Sequence, residues 1–260
     1  MFVRLCRIGL IAILSFMERF CRVEQLLGTP ALERLQKSRV AVFGLGAVGS
    51  YAVEALARVG IGAFRLVDCD VIRISNFNRQ LYALESTLHR PKTDVARERV
   101  LEINPSCVVD TQNVFVDHTN VQELLDGGWD VVVDAIDSLT PKVTLLAAAV
   151  QAGLPVVSSM GAATRRDPQY VRVADISATR YCPLARFVRK KLRQRGVTSG
   201  VWCVYSEEPA WRPPAHAAHN VETETFERGR PRRTLGSLPF ITGVFGLWTA
   251  WQACNLLVQS

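Results

Sequence analysis

The chain has 260 residues, 48% of them apolar, which suffices for one large α/β domain or two small ones with a full core. Thirty-one basic residues against 24 acidic ones leave a net charge of +7, which points either to an anionic partner such as tRNA or to ordinary surface charge. The seven cysteines (Cys6, Cys21, Cys69, Cys107, Cys182, Cys203 and Cys254) contain no C-x-x-C pair. That argues against a zinc ribbon, and their scatter and odd number fit the reduced thiols of a cytoplasmic protein.

The chain opens on an apolar stretch, Phe2 to Phe16, interrupted by Arg4 and Arg7. It lacks a convincing small-residue cleavage site before Met17, so residues 1–16 read either as lying upstream of a true start at Met17 or as a loose extension, rather than as a signal segment. Residues 17–260 read as a single domain. Short apolar runs then alternate with helical patterns: strands at Val40–Phe43, Ala63–Val67, Val108–Val114, Asp130–Asp134 and Pro155–Ser159. Strands of that kind are covered on both faces. The helices between them are Ala47–Val59, Thr93–Ile103 (stopping before Pro105), Thr119–Leu125 and Lys142–Ala152, the last closed by Gly153. This β-α-β order predicts an α/β, Rossmann-like, doubly wound and mainly parallel sheet.

After Gly161 the pattern changes to a C-terminal extension of strands and helices. Tyr170–Ile176 and Val201–Tyr205 read as strands, Leu184–Arg195 as a basic helix, and about 207–234 as a mobile loop without hydrophobic period. The apolar segment Leu238–Val258 contains Thr242, Gly243, Gly246, Thr249, Gln252 and Asn255, and reads as a buried helix. Membrane association is the reading weighed against it.

The chemistry concentrates between Val40 and Lys92. Gly44-Leu45-Gly46-Ala47-Val48-Gly49 follows the first strand and opens a helix. Gly44 permits the tight turn, Gly46 lets the backbone approach phosphate, and Gly49 lets helix pack on strand. The helix N-terminus offers unpaired N–H groups to an anion. Asp68 ends the next strand about 20 residues on, where an acid holds a ribose hydroxyl. Asp70 either orders the loop or touches the nucleotide. Arg79 and Lys92 decide the class. Hydride transfer has no need of two cations beyond the ribose acid. Adenylyl transfer does, because charge moves onto the leaving phosphate. In Val131-Val132-Val133-Asp134-Ala135-Ile136-Asp137 two carboxylates lie at a strand's carboxyl end. Asp137 is placed to hold Mg²⁺, whereas Asp134 reads as a helix cap or a support behind it. Arg180, Arg186, Arg189, Lys190, Lys191, Arg193 and Arg195 form a basic run that either tracks a nucleic-acid backbone or makes a solvated face. The four histidines show no ligand spacing.

These motifs, with Ser75-Asn76-Phe77-Asn78-Arg79-Gln80, Pro91-Lys92 and Ile103-Asn104-Pro105, resemble the ubiquitin-activating-enzyme-like superfamily. Glu18-Arg19-Phe20, Asp137-Ser138 with Lys142, Asp167-Pro168, Pro183-Leu184 and Leu235-Gly236-Ser237 make the chain most similar to its tRNA threonylcarbamoyladenosine dehydratase branch. The resemblance implies ATP-dependent cyclisation of the modified adenosine through an acyl adenylate, a tRNA substrate and a homodimer. Whether a sulfur-transfer accessory protein assists is left open. It also implies that Gly44, Gly46 and Gly49 hold phosphates, Asp68 the ribose, Asn76, Arg79 and Lys92 phosphates, and Asp137 the magnesium. Arg22 matches an arginine that reaches a neighbouring subunit's ATP site. Two positions depart from the pattern: Ala47 replaces a usual glycine, and Tyr181-Cys182 stands where an acid before Pro-Leu is common. The alternative activity is adenylation of the C-terminus of a ubiquitin-like sulfur carrier, a branch disfavoured by the missing C-x-x-C pairs.

Overall fold

The computed structural model describes residues 18–209, 211 and 235–259. Helices α1 (18–27) and α2 (Thr29–Lys37) lead into β1 (Arg39–Phe43). There follow α3 (Gly49–Arg58), β2 (Ala63–Val67), α4 (Lys92–Ile103), β3 (Val108–Gln112), α5 (Val121–Leu125) and β4 (Val131–Asp134). Beyond these lie α6 (Leu139–Gln151), β5 (Val156–Ser159), β6 (Val171–Asp175), α7 (Pro183–Arg193), β7 (Val201–Ser206) and α8 (Pro239–Gln259).

The strands form one sheet in the order β3-β2-β1-β4-β5-β7-β6, parallel throughout except for β6, which runs against β7. The parallel, doubly wound expectation is met. Val42 pairs with Leu66 on one side and Val133 on the other, and all three are buried, because helices cover both faces. One face packs α3, α4 and α8 through Val53, Leu56, Val100, Ile241 and Phe245. The other packs α5, α6 and α7 through Leu124, Leu145, Leu146, Val188 and Leu192. The chain winds outward from β1 through β2 to β3, then returns to place β4 on β1's other side. Between the carboxyl ends of β1 and β4 the connections diverge and leave a crevice.

Several expectations are refined. β3 stops at Gln112, two residues short of the expected end, and β7 extends to Ser206. Glu207 and Glu208, expected to open the mobile loop, are fastened instead: Glu207 N donates to Tyr170 O, and the buried Glu208 carboxylate accepts from Arg166 N at 2.8 Å and Asp167 N at 3.1 Å. The remainder of that loop, 210 and 212–234, and the extension 1–16 lie outside the described residues. Helices α1 and α2 were not anticipated. Thr29-Pro30 starts α2 with proline in the first turn, and Leu32 and Leu35 bury one side of it. Phe20 of α1 is buried beside Gly60, after the end of α3.

Helix α8 has the length and hydropathy of a membrane span, but 56% of that window is buried inside the fold. It therefore reads as a core helix, although Phe240, Leu247, Trp248 and Trp251 remain exposed along its outer side. Its fit on α3 relies on Gly246, where a Cβ would lie 2.5 Å from Val48 O and 2.6 Å from Tyr51 Cβ. Replacing Gly246 with valine should cost about 1–3 kcal/mol through overpacking. Thermal unfolding would report this as a lowered midpoint, and an unchanged midpoint would contradict the packing described.

Candidate functional site

The crevice is built on a close approach of two backbones. Gly44 leaves β1 at φ 90°, a left-handed conformation that side chains disfavour, and a Cβ there would sit 2.7 Å from Ala135 O. Gly49 is equally constrained, since its Cβ would fall 1.8 Å from Gly44 O. Gly46 is different: nothing lies within 3.7 Å of its Cβ position, where the nearest atom is Gln80 Nε2. This is a cradle with room for a ligand. Helix α3 has no side-chain cap, so an anion can take that place.

Asp68 follows β2 and is tied to the glycine loop, its Oδ2 accepting from Leu45 N at 2.6 Å and its Oδ1 from Asp70 N at 2.9 Å. Burial pushes its carboxyl up, with the nearby Lys92 ammonium opposing. Lys92 opens α4, is 5% exposed, and donates from Nζ to Asp70 Oδ2 at 2.9 Å. Burial works against its charge, but the carboxylates of Asp68, Asp70 and Asp137 outweigh it and hold its pKa above the usual lysine value. Asp70 thus orders the loop through Lys92. Lys92 reads as a fixed cation.

The segment 76–81 lies over the glycine loop: Leu81 N donates to Ser50 Oγ at 3.2 Å. Asn76 is buried and accepts from Arg73 N at 3.1 Å, shaping the turn before Arg79. Arg79 is half-buried, with Nη1 donating to Ser75 O and Asn78 Oδ1, both at 2.8 Å. Asp137 is exposed on the loop between β4 and α6, close enough to Lys92 to act on its charge. Among the described residues the carboxylates and thiol that could share one ion are Asp68, Cys69 and Asp70, within 4.8 Å of one another. Burial and the flanking Asp70 and Asp68 carboxylates push the Cys69 thiol up to about 11.

The structure therefore brings Gly44, Gly46, Gly49, Asp68, Asp70, Asn76, Arg79, Lys92 and Asp137 to one edge of the sheet. It does not bring Arg22 there. Arg22 is exposed on α1, whose Phe20 and Arg19 contact Gly60 and Ile103 O beyond the far ends of α3 and α4.

A model of the ThiF family matches residues 20–260. The chain belongs to the ThiF family. It is 43% identical over 192 residues to a tRNA threonylcarbamoyladenosine dehydratase of Bacillus subtilis, covering 74% of this chain and 76% of that one. It is 39% identical over 253 residues to the dehydratase of Haemophilus influenzae, covering 94% and 95%. The crystal structure of the Escherichia coli dehydratase in complex with ATP superposes with a TM-score of 0.83 at 32% identity, covering 94% of this chain and 96% of that one. An E. coli molybdopterin-synthase adenylyltransferase matches only 53% of this chain, at 34% identity.

Behind this ThiF-family crevice lies a group whose arrangement the sequence left open. Of the two readings of Asp134, helix cap or support behind Asp137, the structure shows the support. Asp134 is fully buried, as is Lys142 of α6, and its Oδ2 accepts from Lys142 Nζ at 2.5 Å and Ser158 Oγ at 2.6 Å. Lys142 also donates to Ser159 O at 2.9 Å, while Asp134 Oδ1 accepts from Ile136 N at 3.0 Å. One carboxylate thus joins β4, β5 and α6 and sets the turn that presents Asp137. Spacing alone could not reveal Ser158 as the third member, because it comes from a separate strand. Lys142→Met should cost about 3–5 kcal/mol by leaving Asp134 buried and unpaired. Asp134→Asn combined with Lys142→Met should cost less than the two singles summed. Denaturant unfolding of the cycle checks this, and strict additivity would contradict a coupled pair.

Proposed function

We propose that this protein is an ATP-dependent tRNA threonylcarbamoyladenosine dehydratase. The observation that carries the reading is the convergence of a glycine phosphate cradle with two anchored cations, Arg79 and Lys92, in a chain similar over nearly its whole length to such dehydratases. Gly44, Gly46 and Gly49 bring the loop backbone to the phosphates, and the α3 N-terminus adds its partial positive charge. Asp68, fastened to that same loop, holds the ribose. Asn76, Arg79 and Lys92 meet the phosphates, Arg as a two-pronged donor and Lys as a point charge.

The chemistry is a carboxylate attack on the α-phosphorus of ATP. Pyrophosphate leaves, and the acyl adenylate forms. A nucleophile within the same threonylcarbamoyl group then attacks the acyl carbon and loses a proton. AMP departs carrying the former carboxylate oxygen, so the net change in the nucleoside is the loss of one water. Arg79 and Lys92 stabilise charge as it develops on the leaving phosphates. Asp137 fits Mg²⁺, which binds through one or two carboxylates and the substrate's own phosphates. The ion would neutralise phosphate charge there. We further propose a homodimer in which Arg22, remote from its own crevice, serves the neighbouring subunit's.

Nucleoside mass spectrometry of threonylcarbamoylated tRNA incubated with protein, ATP and Mg²⁺ should show loss of one water with release of AMP. An unchanged nucleoside, from protein shown to bind ATP, would contradict the reading and move the substrate to a protein carboxylate. Arg79→Ala should lower AMP release about 10²- to 10³-fold with its melting midpoint unaltered. Wild-type rates in that variant would remove Arg79 from the assigned role.

A further inference from the structure

We infer that the outward side of α7, with Arg180 and Tyr181 before it, is the surface on which the RNA strand flanking the reacting nucleotide docks. The inference rests on the tRNA reading above and adds to it where the RNA lies.

From Ile176 to Ser206 the chain has no acidic residue, yet it carries Arg180, Arg186, Arg189, Lys190, Lys191, Arg193 and Arg195. The fold sorts these cations. Ala185, Val188 and Leu192 bury the inner side of α7 against the α5–α6 face of the sheet. Arg189 is used inward, donating from Nη1 to Ile176 O at 3.2 Å and Thr179 O at 3.0 Å. Arg195 Nη1 turns to Val143 O and Thr144 Oγ1 at 3.5 and 3.4 Å. Arg180, Arg186, Lys190, Lys191 and Arg193 remain exposed, with no ion pair among the described residues.

Two aromatic rings share this outer side. Phe187 is 48% exposed with the Arg186 guanidinium 5.2 Å from its ring centre, and Tyr181 is 72% exposed. Cations for phosphates interleaved with rings for unstacked bases are what single-stranded RNA selects. The position agrees. α7 begins against Gly161, whose Cβ position is 3.8 Å from Cys182 Sγ, and Gly161 lies just past β5 on the same strand-end edge as the crevice. A strand lying along α7 therefore leads towards the phosphate cradle. An anionic membrane would attract the same cations, but an interfacial helix inserts its apolar side, and that side of α7 is already buried inside the fold.

The test is binding of tRNA to the full-length protein at several salt concentrations, beside vesicles of anionic phospholipid. Lys190→Ala with Lys191→Ala should weaken tRNA binding at least tenfold. It should also reduce the slope of log affinity against log salt by about 1–2. Phe187→Ala should weaken binding about tenfold, and both variants should melt as wild type does because these side chains are exposed. Lys37→Ala, an exposed cation on α2, should bind as wild type does. Undiminished tRNA binding in the α7 variants would overturn the inference while leaving the dehydratase reading intact. Wild-type protein that ignores tRNA but binds vesicles through α7 would overturn it in favour of a membrane. Loss of binding in the variants together with a negative nucleoside assay would keep the docking surface and sink the dehydratase reading alone.

Discussion

Everything at the crevice depends on where the loop after β4 sits, and that is set by a charge pair sealed away from water. Asp134 ends β4 with one oxygen on Lys142 and Ser158 and the other on Ile136 N. Burying two charges is costly, and a pair of this kind contributes little to stability compared with apolar packing. What it contributes is position. The carboxylate is shared by two strands, a helix and a turn, so Ala135 is fixed where Gly44 must pass, and Asp137 is fixed at the mouth. The glycines are a consequence: with Ala135 O this close, no side chain fits at Gly44.

In the front of the crevice the same logic holds with the charges nearer to water. Asp68 grips the amide of Leu45, so the acid proposed for the ribose and the loop proposed for the phosphates move as one body. Asp70 holds the Lys92 ammonium at 2.9 Å, and the surrounding carboxylates keep it charged despite burial. A cation placed beforehand does not have to reorganise when negative charge moves onto a phosphate, which is where such groups yield their largest effect. The basic side of α7 is a separate, solvent-facing set of cations. On the proposed reading it orients the RNA, while the adenylation takes place between β1 and β4.

The sequence showed much of this, for reasons that can be named. The inner strands are short apolar runs because both faces are covered, and that signal survives without any partner. The glycine loop and Asp68 sit at fixed spacing within one β-α-β unit, so their meeting could be anticipated. Helices α1 and α2 were missed because both are short and precede the first strand, outside the β-α-β order from which the other helices were read, although Phe20, Leu32 and Leu35 are buried. For Asp134 the supporting role was one of two readings and holds, but its partners were out of reach, since Ser158 comes from another strand and a carboxylate there reads equally well as a cap. Within the basic run, Arg189 and Lys190 are neighbours in sequence, yet one is spent on backbone carbonyls and the other faces solvent. Only the buried stripe of Ala185, Val188 and Leu192 separates them.

The central claim is that this crevice makes an acyl adenylate. Isotope exchange between labelled pyrophosphate and ATP tests it most directly, because exchange requires reversible attack at the α-phosphorus. Exchange that depends on threonylcarbamoylated tRNA is the expected result. Formation of ADP and inorganic phosphate instead, with no label returned to ATP, would place the attack at the γ-phosphorus and contradict the claim.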